Sequence, residues 1–531
     1  MHHVRLMPRT QGLCSAVLAS LLGTACAYCA HGSTSAAPVQ PLTIVYSTAL
    51  VGHLEPCGCS PDQRGGVDRA AATVDAIRKE GHPVVLLDGG DRFFPSTGAS
   101  DDPMVSAQQR LQADAMEKVT ALMGYDAVVL GARDAWAGVS FFDHFPVPVL
   151  DTGATAHPFT RTTLLIPAGG ASVGVFAVGA EKDAGDIIHA RAAELTSKGA
   201  RILVLLAYRT FEDSYALQPA AHDAGVSFIL AGRADVPETH ESAALPDVDP
   251  PIFTAKARGE ELLRLDLLAG GAPGTRFVKV AGQAEKEAQL AAMQARIDEL
   301  RKNAIALSPL DPMAKLMTDK TLELEARRAK LAQAQPPKLP PGTNSFTYAF
   351  VPMSPQLPKD PAVQAVVDGY NQEVQTRNFA YAQAHPKQCP QAGPGDSSFV
   401  GDEKCAECHQ EAYDFWKTTP HANAYEKLVK RNRQYDVTCI GCHVTGFEKP
   451  GGACDIAQTA GRQNVQCEAC HGPGSLHSAE GEPKLIARDT SAKLCKTCHD
   501  PENSPHFNFT TYRPQILGPG HGAPMKLKKK G

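Results

Sequence analysis

Four copies of one five-residue pattern fall between residues 405 and 499: CAECH, with Cys405, Cys408 and His409; CIGCH, with Cys439, Cys442 and His443; CEACH, with Cys467, Cys470 and His471; and CKTCH, with Cys495, Cys498 and His499. A CxxC pair alone can chelate zinc, cycle as a redox disulfide or tether a haem. A zinc ribbon needs two such pairs but no histidine directly after each one, and here all four have it. Covalent haem attachment does need it. The two thiols form thioethers with the vinyl groups on one porphyrin edge, and the next residue of the turn lies under the iron, where its imidazole can ligate. The pattern predicts four covalently bound c-type haems.

A low-spin electron-transfer haem takes a second strong ligand on its far face. Outside the four motifs, the region from His385 onward holds five further histidines for four iron atoms: His385, His421, His477, His506 and His521. His421 and His477 lead, His521 in GPGHG follows, and His385 and His506 compete for the last place. Any one of them taken alone reads as an ordinary surface histidine. An iron left without a second protein ligand would offer an open coordination position, and with it chemistry on a small molecule as well as relay.

The first 37 residues read as an export signal: Arg5 and Arg9, then the apolar GLCSAVLASLLGTACAYCA, then small residues near Ala27 or Ala37. LGTAC also matches a lipoprotein box around Cys26, with Gly23 where leucine is preferred; simple cleavage is favoured and lipid anchoring stays open. The expected location is periplasmic or outer-surface. An oxidising compartment leaves few thiols free. Of the 15 cysteines, Cys14, Cys26 and Cys29 belong to the signal and eight to the motifs. Cys389 and Cys454 could join in a disulfide or stay single. Cys57 and Cys59, in EPCGC, could pair, pack, or act as a strained and easily reduced redox element. Past the signal no apolar run reaches the ~18 residues of a membrane span. A net charge of -5 leaves no footprint for nucleic acid, and Lys526, Lys528, Lys529 and Lys530 read as a solvated terminus.

The elements that must hold these groups are legible from periodicity. LTIVYS, PVVLLD, DAVVL, ILVLLA and SFILAG read as buried strands, with VDRAAATVDAIRKEG and VSAQQRLQADAMEKVTALMG as helices between them, which implies an α/β layered domain over residues 38–282. A helical connecting region is expected over 283–384, with i,i+4 charge pairs suggesting exposed helices or a helical hairpin, and a further strand in FTYAFVP. From 385 to 531 strand runs nearly vanish. A mostly α, loop-rich domain there needs little aliphatic core, because haems bury apolar area themselves at about 25 cal/mol per Å².

The stretch from FVGDEKCAECHQEAYDFWKTTPHANAYEKL to GPGHG resembles the cytochrome c-554 type of multihaem cytochrome, through CxxCH followed by an aromatic, Trp416 and the HANA histidine, then CIGCHVTGF and CEACHGPGSLH. That resemblance implies haems in closely stacked pairs, His421 and His477 as distal ligands, and electron transfer; some relatives hold one five-coordinate haem and handle nitrogen oxides. The α/β part resembles the metallophosphoesterase and 5'-nucleotidase fold, with LVGHLEPCGC, GGVDRAAATVDAI, LLDGGDRF, MGYDAVVLGARD and FILAGRAD in that family's order. Such enzymes hold two metals with Asp, His and Asn at the strand ends, as in-line attack on phosphate requires. Here the family's opening Asp and His are Ala49 and Val51, its Asn-His is Ala132 and Arg133, a later His is Tyr208, the last His pair reads Arg233 and Asp235, and Asp91 survives. One carboxylate does not hold a dinuclear centre, so a catalytically inactive scaffold is expected. EPCGC resembles UshA-like (seleno)proteins that carry selenocysteine or cysteine at this place. Fusions of that domain to multihaem cytochromes occur in outer-surface electron conduits, which favours a redox role for Cys57 and Cys59.

The combined expectation is an exported tetrahaem c-type cytochrome that passes electrons between redox partner proteins, with the phosphoesterase-like domain as scaffold or docking module. Two alternatives stand beside it: an oxidoreductase acting on a small nitrogen compound at a five-coordinate haem, and an active metal-dependent 5'-nucleotidase with an appended cytochrome.

Overall fold

LTIVYS forms β1 (Leu42–Ser47), with all six residues buried. Its side chains alternate between two cores, as the two-residue period of a strand requires. Ile44 and Tyr46 join one apolar cluster with Val173, Val175 and Leu206, and Val45 joins another with Val74, Ile77 and Val119. Burial on both faces is why these strands read as continuous apolar runs. The computed structural model describes residues 41–56, 63–136, 138–152, 157–232, 241–271, 274–305, 307, 311–335, 339–340, 342–487, 491–500, 503–504 and 507–521. The expected signal with Cys26, the Cys57 and Cys59 pair, Arg233, Asp235, His506 and the lysine tail lie outside the described residues.

Two mixed sheets face each other. In the first, β1 is followed in parallel by β2 (Val84–Asp88), β3 (Ala127–Val129), β4 (Val149–Leu150) and β5 (Thr160–Arg161). The second has six strands, β6 (Thr163–Ala168), β7 (Ala171–Val178), β8 (Ile202–Ala207), β9 (Phe228–Ala231), β10 (Ala243–Leu245) and β11 (Ile252–Thr254), in the order β10-β11-β9-β8-β7-β6. The chain then returns to the first sheet with β12 (Glu261–Ala269), β13 (Phe277–Lys279) and β14 (Asn344–Pro352), completing the eight-stranded order β13-β14-β12-β1-β2-β3-β4-β5.

Helices cover the outer faces. On the first sheet lie α1 (Val67–Arg78) and α2 (Pro103–Met123), and on the second α3 (Ala184–Ser197). The ends of α2 follow from its residue types: Asp102 accepts the Met104 and Val105 N–H groups, Pro103 starts the first turn, and Gly124 closes the helix at φ 65°. Two antiparallel helices, α4 (Gln283–Ile305) and α5 (Pro312–Gln333), form a hairpin in which Ile297 and Leu300 are buried and Arg301 pairs with Glu325. Then β14 runs antiparallel to β12 over nine residues, and α6 (Pro361–Ala384) places Val363, Val367 and Val374 in the core shared with α1 and α2. The span expected as a connection is therefore a hairpin plus two integral pieces of the α/β body. Periodicity identified β14 and α6 as elements but carries no record of which sheet they join.

Beyond residue 399 the described chain is short helices of at most eight residues and loops around one small apolar cluster, with Tyr425, Leu428, Ile440 and Val444 at its centre. A disulfide joins Cys389 to Cys454 and anchors the entry of this region. Among the described residues no helix is long and apolar enough to cross a membrane.

Candidate haem sockets and the cleft at the strand ends

Each CxxCH motif is one helical turn. The His409 N–H donates to the Cys405 carbonyl at 2.9 Å, and His499 repeats the bond to Cys495 at 2.9 Å. Ile440–His443 and Cys467–His471 form the other two turns. A turn of this kind sets the two thiols on one side, with the histidine following directly. None of the eight cysteines is in a disulfide. The four turns adjoin one another: the Cys405 thiol hydrogen-bonds Cys467, Cys470 lies beside Cys495 and Cys498, and Cys498 hydrogen-bonds Cys442. Traced through these sulfurs, the sockets run first, third, fourth, second.

Three histidines remote in sequence face three of the motif histidines. His477 stands 6.3 Å from His409, His421 6.2 Å from His499, and His521 5.8 Å from His471, ring centre to ring centre. A metal–nitrogen bond of about 2.0–2.1 Å on each side sets two imidazoles on one ion roughly 6 Å apart by ring centres. The rings thus stand at the separation that one shared ion between them requires. Backbone acceptors turn several of these rings. His443 Nδ1 lies 2.6 Å from the Ala424 carbonyl, His471 Nδ1 2.9 Å from that of Ala487, and His477 Nδ1 3.0 Å from that of Glu482. With Nδ1–H donating to these carbonyls, Nε2 keeps its lone pair for a metal. Burial, and after it the neighbouring His499, holds His421 down to about 4, and burial also lowers His443 and His499, so these rings are neutral at neutral pH, the form that ligates.

The second socket differs. Among the described residues no second imidazole faces His443 at such a distance. His385 ends α6 with its ring stacked on Tyr381 at 4.2 Å and its Nδ1 3.0 Å from the Tyr381 carbonyl.

Spacing alone did not reveal the groups that tie the sockets together. Glu468, inside the third motif and 1% exposed, accepts the N–H groups of Val400, Gly401 and Gly474 at 2.7–3.0 Å, binding the third socket to the lead-in of the first. Trp416 donates its indole N–H to the Val465 carbonyl. A charged residue between two cysteines reads as a solvated filler, so nothing in the pattern singled Glu468 out.

The match to known proteins falls on this region. A family model, cytochrome c554 and c-prime, matches residues 404–472. Cytochrome c-554 of Nitrosomonas europaea is 36% identical over an alignment of 159 positions that covers 23% of this chain and 68% of that protein. The chain belongs to the cytochrome c-554 family. Membership brings covalently bound c-type haem and electron carriage to the chain, and the motif cysteines, none of them in a disulfide, and the facing imidazoles fit that group. Among solved structures, a 5'-nucleotidase precursor from Thermus thermophilus is similar at TM-score 0.41 and 14% identity, covering 78% of this chain and 71% of that one. The calcineurin-like phosphoesterase YfkN from Bacillus subtilis is similar at TM-score 0.39 and 12% identity, covering 64% and 98%.

At the strand ends, this member of the cytochrome c-554 family has a second polar cluster. Asp91, after β2 and 2% exposed, accepts hydrogen bonds from the Arg133 backbone at 2.9 Å and from the Tyr208 hydroxyl, which lies 3.0 and 2.9 Å from its two oxygens. The Arg133 guanidinium lies 3.9 Å away. Asp134, fully buried, accepts the Arg92 and Phe93 N–H groups, and burial followed by the neighbouring Asp91 charge pushes its carboxyl up to about 8. Ala49, Val51 and Asp91 all hold positive φ, 50°, 43° and 53°, a conformation unfavourable for β-branched Val51 above all. Among the described residues no three His, Cys, Asp or Glu side chains converge to hold a metal ion.

Proposed function

We propose that this chain is an exported tetrahaem cytochrome that passes electrons along four closely spaced sockets to and from redox partner proteins. The observation that carries this reading is the three imidazole pairs 5.8–6.3 Å apart, each joining a motif histidine to one far away in sequence. In it, Cys405 and Cys408, Cys439 and Cys442, Cys467 and Cys470, and Cys495 and Cys498 are the tethers. His409, His443, His471 and His499 are the proximal ligands, and His477, His521 and His421 face the first, third and fourth of them. Haem, when bound, supplies the one-electron ferric–ferrous couple. The protein holds the ligands still: carbonyls fix the ring planes and the interlocked turns fix the spacing, so little reorganises when charge moves. Mass spectrometry of the mature chain together with a pyridine haemochrome assay tests this, with four haems per chain expected. A chain without added haem mass, or with zinc at the motifs, defeats it.

A second reading attaches to the second socket. With Tyr381 under His385 and no imidazole facing His443 among the described residues, that iron is the one expected to be five-coordinate and open to a small ligand such as nitric oxide or cyanide. A high-spin ferric signal from one haem in four that moves on adding cyanide supports it; a wholly low-spin, unresponsive spectrum removes it.

The α/β body serves, in this reading, as an inactive scaffold. Tyr208 and Arg133 take up the Asp91 carboxylate, where a metal ion would need it free. Phosphatase assays with manganese or zinc are expected to show no metal-dependent turnover, and Asp91→Ala no change. Turnover lost in that variant would restore the nucleotidase reading.

A further inference from the structure

Gln108 on α2 and Asn378 on α6 are amides at a helix interface, 2% and 3% exposed. A buried amide is costly unless it is hydrogen-bonded. Both find partners in the segment that leads into the second socket. Gln108 Nε2 donates to Asp436 Oδ1 at 2.6 Å, Gln108 Oε1 accepts from Asn378 Nδ2 at 2.7 Å, and Asn378 Nδ2 also donates to the Tyr435 carbonyl at 2.9 Å. Asp436, 1% exposed, is held in turn by Arg433 Nη2 at 2.6 Å and by the Thr438 hydroxyl at 2.6 Å, and its carbonyl accepts the Cys439 N–H at 3.1 Å. A carboxylate and a guanidinium thus sit three and six residues before Cys439, and the carboxylate is held by a side chain 328 positions away in sequence.

We propose that Asp436 and Arg433 are positioning residues that set the redox potential of the haem at the second socket, and that Gln108 and Asn378 make the α/β body part of that setting. The proposal rests on the reading that Cys439 and Cys442 tether a haem. Fixed charges in a weakly screened site favour the oxidation state of opposite sign: a carboxylate steadies the ferric form and lowers the potential, and a guanidinium does the reverse. Burial would push the Asp436 carboxyl up, but the Arg433 charge and the hydrogen bonds from Thr438 and Gln108 outweigh it and hold the group below its usual range, so it is ionised at neutral pH. The α/β body then acts on one haem of the four through a neutral donor placed on that carboxylate.

Potentiometric titration of the full, haem-loaded chain, followed by EPR to separate the haems, tests this. Asp436→Asn removes the carboxylate charge beside Arg433 and should shift one haem's oxidation equilibrium about tenfold towards the ferrous form, a rise of about 59 mV for a one-electron couple. Arg433→Gln should move the same haem the opposite way by a similar factor, Gln108→Leu in that second direction by less, and Arg433→Lys should restore most of the original value. A haem count of four in each variant establishes that the fold survived. Shifts of the same sign from the two charge variants, shifts spread evenly over all haems, or no shift would each overturn the proposal. If the parent chain carries no haem mass at Cys439 and Cys442, the socket reading itself has failed and the proposal falls with it; haem present there with unmoved potentials refutes the positioning role alone.

Discussion

At the scale of the residue, each of three imidazole pairs joins positions far apart along the chain. His409 and His477 lie 68 positions apart and His471 and His521 50 apart, so their meeting is a property of the folded chain. Replacing His477, His421 or His521 by alanine is expected to turn one low-spin haem high-spin in each case, while His385→Ala leaves the spectrum alone; ferric EPR of the four variants checks this. Glu468 is the residue whose loss should be felt most in stability. Glu468→Ala strands three buried N–H groups and is expected to cost about 3 kcal/mol or more, read as a lower denaturant midpoint with unchanged haem content. The residue types of the sockets were plain in the sequence, because attachment chemistry is local to five positions. Glu468 was not, since its three partners come from two other loops.

At the scale of the element, the strand ends gather a buried acidic pair. The ends of β2 and β3 bring Asp91 and Asp134 together, 2% and 0% exposed. Asp134 keeps its proton in the folded state up to about pH 8, whereas the unfolded chain releases it near its ordinary value of 3.8. Between those values the folded state binds the extra proton, so this group's contribution to stability falls as pH rises from about 4 to 8. Denaturation midpoints at pH 5 and pH 8 should therefore differ less in Asp134→Asn than in the parent chain; an unchanged difference would count against the assignment. The elements themselves were readable: β1, β2, β8 and β9 from their apolar runs, and α1 and α2 from their period. The pairing of β14 with β12 was not, since a strand's partner is chosen across 75 or more residues by the faces left to cover.

At the scale of the whole molecule, the two parts depend on their cores to different degrees. The sheets bury a continuous aliphatic core between them and under the helices, whereas the region past residue 399 has one small cluster. Chain produced without haem attachment is expected to keep a protease-resistant α/β body up to about α6 and lose residues 399–521 to limited proteolysis. Full resistance of both parts would mean that the sockets are held open by protein contacts alone. Arg431, bonded to Gln63, and Arg433, 3.9 Å from Glu55, add to the Gln108 contact in joining the second socket's approach to the α/β body.

Taken by itself, the sequence determined the covalent chemistry and the alternation of strands and helices, because each is written in residue identity and short spacing. Tertiary structure decided which histidines meet, which strand closes the first sheet, and that Asp436 is held by the Gln108 amide of a distant helix, itself held by Asn378 of another. These are contacts between segments far apart along the chain, chosen by the burial of apolar faces and the pairing of buried polar groups, and neither leaves a local periodic trace.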